Sequence, residues 1–105
     1  MATTNIIHLF GDDFAPGESK HYHLDPGAAG NISNSAFVRV MVWPVWTSPQ
    51  GGGDGTVVRV ENFKAQLVGT APNFDGTNNY RFHWDVVNES DVPAKVAMSL
   101  LVITP

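Results

Sequence analysis

The 105-residue chain contains no cysteine, which excludes a disulfide framework, a thiolate metal centre and a thiol nucleophile. Its stability must come from packing and hydrogen bonding alone. Charge is also scarce: 15% of the residues are charged, ten acidic against six basic, for a formal net charge of −4. The basic residues, Lys20, Arg39, Arg59, Lys64, Arg81 and Lys95, are dispersed along the chain. A nucleic-acid binder clusters such groups to neutralise phosphates, so nucleic acid is not an expected partner. No apolar run approaches the roughly 20 residues that span a bilayer, and membrane insertion is not expected. Residues Met1 to Asn5 lack the basic region and apolar core of a signal peptide, so the default expectation is a soluble, unprocessed, cytoplasmic protein.

Motifs of common catalytic machinery are missing too. There is no Gly-x-Ser-x-Gly elbow and no phosphate-cradling Gly-x-x-x-x-Gly-Lys. The Gly51-Gly52-Gly53 run is followed by Asp54, whose charge repels phosphate. No catalytic residue and no cofactor is assigned from the sequence, and the reading leans away from an enzyme. The tripeptides Asn31-Ile32-Ser33 and Asn88-Glu89-Ser90 match the glycosylation acceptor pattern, which also arises by chance.

What the chain does have is alternation. Val38, Val40 and Val42 alternate with Phe37, Arg39 and Met41; Tyr80, Phe82, Trp84 and Val86 alternate with Arg81, His83, Asp85 and Val87. A period of two sends successive side chains to opposite faces of a strand. Strands are expected over Ile6 to Phe10, ended by Gly11-Asp12-Asp13, and over Glu18 to Leu24, with Tyr22 and Leu24 inward and Ser19, His21 and His23 outward. Others follow over Ala36 to about Val42, Val57 to Val68, Asn79 to Val87, and Ala94 to Ile103. In the fourth, apolar parity changes from Val58 and Val60 to Phe63, Ala65 and Leu67, which a one-residue bulge near Glu61-Asn62 reconciles. Pro44 lacks an N–H and marks an edge, a bend or a bulge. The last segment also satisfies helical spacing at Val96, Leu100 and Ile103, but its β-branched end and clean alternation favour a strand. Several short strands with regular turn signals, ten glycines and seven prolines imply an all-β chain. We expect a single-domain antiparallel β-sandwich over residues 1–105, jelly-roll-like or immunoglobulin-like.

Three sets of residues are candidates for function. Trp43 shares parity with Phe37, Arg39 and Met41, opposite the valines, and Trp46 lies beyond Pro44. A flat indole near hydrogen-bonding side chains is a platform for a sugar ring. With the loop residues Asn73, Asp75 and Asn78, these tryptophans form a candidate glycan site, and a lectin-like binding module is the leading reading. The alternative for Trp43 is burial, if the third strand is covered on both faces. Phe37 and Met41, with Leu101 and Ile103 of the last strand, form an apolar row on the non-core face. That row points to a homo-oligomer interface and to a self-assembling structural or adaptor protein as the second reading. His21 and His23, two apart on one outer face, are metal candidates if His8 or His83 supplies a third ligand, which makes a His-based metal enzyme the third.

Overall fold

The computed structural model describes residues 2–26, 32, 35–45, 55–68 and 80–105. Within them the alternating runs form six strands and no helix: β1 (Thr3–Phe14), β2 (Ser19–Leu24), β3 (Phe37–Val45), β4 (Val58–Leu67), β5 (Tyr80–Asn88) and β6 (Ala94–Thr104). They build two three-stranded sheets, sheet A in the order β1-β6-β3 and sheet B in the order β2-β5-β4, with every pair antiparallel. The winding follows from a long hairpin, in which β1 faces β6, β2 faces β5 and β3 lies near β4. Rolled up, it brings β3 onto β6 and β4 onto β5, as a jelly roll does. The alternative helical spacing of the last segment loses because Val96, Met98, Leu100 and Val102 all belong to one buried row.

The core lies between the sheets. From sheet B it takes Phe82, Trp84 and Val86; from sheet A it takes Val40, Phe14 and the buried row of β6. Trp84 is 0% exposed and stacks on Tyr22 at 6.1 Å between ring centroids. The parity assigned to Tyr80, Phe82, Trp84 and Val86 therefore holds.

Two bulges re-aim the long strands. In β4, Glu61 pairs with Asp85 and Lys64 with His83, so three steps match two on β5. The extra residue includes Asn62 at φ +56°, a left-handed conformation that Asn tolerates better than most. Phe63, Ala65 and Leu67 thereby return to the side held by Val58 and Val60, as the parity change requires; Phe63 packs on the core there, whereas Ala65 and Leu67 stay exposed.

In β1, His8 pairs with Ser99 and Gly11 with Ala97. Here the expected strand end at Gly11-Asp12-Asp13 is corrected, since β1 runs on to Phe14. A Cβ at Gly11 would lie 3.4 Å from the Val96 carbonyl oxygen, an ordinary van der Waals contact. Asp12 finds partners across the sandwich: the Tyr22 hydroxyl donates to it at 2.6 Å, and Lys20 Nζ lies 3.4 Å away. Turn-forming residues remain in a strand when their polar groups are satisfied there.

Candidate functional site

Because the slab measures 51 × 29 × 17 Å, its two broad outer faces dominate the surface, and they differ in chemistry. The outer face of sheet A is apolar. Its cross-strand rows, read from β1 through β6 to β3, are Thr4–Ile103–Phe37, Ile6–Leu101–Arg39, His8–Ser99–Met41, Gly11–Ala97–Trp43 and Asp13–Lys95–Val45. Ile6 is 54% exposed, Phe37 50% and Trp43 39%; Met41, Leu101 and Ile103 are half-buried among them. Burial of both faces of β3 is thus corrected, because its Phe37–Trp43 side is open in this chain. The first four rows contain one lysine or arginine side chain and no carboxylate. That cation, the Arg39 guanidinium, lies over the Phe37 ring at 4.9 Å from its centroid. At the centre, His8 Nδ1 and Ser99 Oγ are hydrogen-bonded at 3.0 Å, which satisfies the buried Ser99 hydroxyl.

The four interface residues named from sequence, Phe37, Met41, Leu101 and Ile103, therefore share one face with Trp43. Sequence reasoning missed Ile6 and the His8–Ser99 pair. Ile6 was legible as a strand residue, but its place beside Leu101 depends on the first strand pairing with the last. Of the glycan candidates, Trp43 is the one described; Trp46, Asn73, Asp75 and Asn78 lie outside the described residues.

The outer face of sheet B is polar. β2 presents His21 and His23, β5 presents Arg81, His83 and Asp85, and β4 presents Arg59, Glu61, Lys64 and Gln66. His21 stacks on His83 at 5.6 Å, and His23 lies 6.4 Å from the same ring. Asp85 accepts from His21 Nδ1 at 2.7 Å and from Asn62 Nδ2 at 2.9 Å. These bonds, that of Asn62 first and that of His21 second, hold its carboxyl below the usual range. The His83 pKa is lowered, chiefly by desolvation and then by the positive charges that His21, Lys64, Arg81 and His23 bring near it.

The structure thus gathers His21 and His23 with His83, one of the two proposed third ligands, while His8 lies on the opposite sheet. Among the described residues, however, no three His, Asp or Glu side chains converge in a way that could hold a metal ion. The imidazoles lie side by side along the sheet, with their edges engaged by neighbours.

A further cavity of about 220 Å³ opens between the sheets beside β3 and β4, lined by Ile32, Val38, Phe63, Tyr80 and Phe82 among others. Its wall is an aromatic stack, Phe63 on Phe82 at 5.9 Å and Tyr80 on Phe82 at 6.3 Å.

The fold and its two faces define an all-β sandwich with one apolar and one imidazole-rich outer surface. Comparison with protein-family models, with curated proteins and with solved structures gave no match.

Proposed function

We propose that the protein is a self-assembling β-sandwich that buries the outer face of sheet A against a second copy of itself. The observation that carries this reading is the run of mainly apolar rows from Phe37–Ile103 to Trp43–Ala97, interrupted by Arg39 and the His8–Ser99 pair, with Ile6 and Phe37 at least half exposed. Three strands of about nine residues span about 30 Å by about 15 Å. Such a footprint, about 450 Å², is the size of the largest apolar patch on a typical soluble monomer, a patch that often serves binding. A standard interface takes about 800 Å² of accessible surface from each partner, so this face would form the centre of one. Apolar side chains need no charge complement, so a second copy satisfies the face by itself, in the closed symmetric way common to small domains.

The test is Met41→Arg, which places a charge at the centre of the face. The wild type should sediment as a multiple of 11.4 kDa, and the variant as a monomer with an unchanged β-sheet circular dichroism spectrum. Phe37→Glu, at a rim position that is half exposed, gives the same readout if Met41→Arg impairs folding. A monomeric wild type overturns the proposal.

A second reading rests on Trp43. Its indole is 39% exposed on a flat surface, which suits stacking against a sugar ring. A monomer that binds glycans, and loses them in Trp43→Ala, supports the lectin-like reading over self-assembly.

A further inference from the structure

Independently of sheet A, the hydrogen bonds on the outer face of sheet B determine which nitrogen of each stacked imidazole carries its proton. Asp85 Oδ1 can only accept, so the bond from His21 places the proton on Nδ1 and leaves Nε2 bare. Gln66 Oε1 likewise accepts from His83 Nε2 at 2.8 Å, leaving His83 Nδ1 bare. A bare nitrogen accepts while its ring is neutral and becomes a charged donor when the ring is protonated. Lys64 and His21 together line two shallow depressions on this face, one shared with Asn62, Phe63 and Asp85 and the other with Ala65, Gln66 and His83.

The carboxylates nearby are already engaged. Asp85 is held by His21 and Asn62, Asp25 by Arg81 at 3.0 Å and His23 at 3.6 Å, and both Glu61 and Glu89 by Arg59. We propose that His21, His83 and Lys64 form a binding site for a tetrahedral oxyanion, free or carried as a monoester, that operates when the imidazoles are protonated.

A metal ion is the competing occupant of paired histidines. Here the Lys64 ammonium beside both depressions repels a cation, and a third ligand is missing from the described residues. The charge balance also decides the pH range. With neutral histidines, Arg59, Lys64 and Arg81 stand against Asp25, Glu61, Asp85 and Glu89, leaving the face net negative. Protonating His21, His23 and His83 reverses that sign. Desolvation first, and then the charges of His21, Lys64, Arg81 and His23, hold the His83 pKa down; an anion would offset the charges, so binding should raise it. One lysine and two imidazoles are too few to follow a nucleic-acid backbone, which is neutralised by many contacts at once.

Sulfate is the probe, because it stays dianionic across the range in which histidine titrates. We expect it to bind about tenfold or more tightly at about pH 5.5 than at about pH 7.5, a factor within reach of one charge-assisted hydrogen bond. Ring resonances of His21 and His83 should shift on titration, those of His8 on the opposite sheet should not, and the His83 pKa should rise at saturation. Lys64→Ala should weaken binding several-fold while Lys64→Arg retains it; His83→Gln supplies a second variant if Lys64→Ala folds poorly. Glucose 6-sulfate distinguishes the sources: equal affinity assigns the site to the free ion, and tighter binding assigns it to the monoester. Equal sulfate affinity at the two pH values, or equal shifts at His8, overturns the proposal.

Discussion

Asn88 gives the sharpest test of how the sandwich is closed at one end. The residue is 0% exposed, and its amide joins three segments. Nδ2 donates to the Ala15 carbonyl at 3.1 Å and to the Val92 carbonyl at 2.8 Å, and Oδ1 accepts from Ser90 N at 3.0 Å. Its own N–H reaches the Glu18 carbonyl at 3.0 Å. The turn after β1, the end of β5 and the entry to β6 therefore meet at one side chain. Asn88→Ala removes three bonds, each worth about 1 kcal/mol net, and strands three backbone groups. Ala15 and Val92 are exposed enough for water to reach their carbonyls, which keeps the expected loss at about 2–4 kcal/mol. Urea unfolding followed by circular dichroism measures it, and a loss below about 1 kcal/mol would refute the junction, being the size of an ordinary surface change. Asn88→Asp sharpens the test by replacing the donor with an acceptor aimed at two carbonyls. The buried carboxyl should then have a raised pKa, so its destabilisation grows as pH rises and shrinks toward acid. The same burial answers the Asn88-Glu89-Ser90 acceptor pattern: in the folded protein this amide is enclosed and engaged.

Trp84→Ala should cost about 3 kcal/mol by the same assay, the low end for a buried tryptophan, because its indole N–H is buried with no partner among the described residues. Tyr22→Phe deletes the hydroxyl that lowers the Asp12 pKa. A carboxyl with a depressed folded pKa stabilises above its unfolded value and loses that contribution as pH falls. The variant should therefore be about 1 kcal/mol less stable at neutral pH, a modest figure because Asp12 is partly solvated, and should match the wild type near pH 2. Asn62→Val forces a β-branched residue into the φ +56° position and should cost about 1–2 kcal/mol, whereas Asn62→Gly should be milder; equal losses would argue against the left-handed bulge.

Much of this architecture was legible from side-chain parity. The inward row of β5, the outward histidines of β2 and the β4 bulge all follow from where apolar residues fall at a spacing of two. The same parity placed Phe37, Met41, Leu101 and Ile103 opposite the core. Register between distant strands was not legible. Nothing local says that His83 stacks on His21, or that Ile6 completes a row with Leu101 and Arg39, because those neighbours are set by pairing across more than sixty residues. Local turn chemistry also misled at Gly11-Asp12-Asp13, where partners on another sheet supply what a turn would otherwise provide.

Sedimentation of the wild-type protein across a range of concentrations tests the central claim most directly. If a second copy covers the outer face of sheet A, the mass stays at a multiple of 11.4 kDa down to the dissociation range and falls to the single-chain value below it. A mass of 11.4 kDa at every concentration would contradict the account.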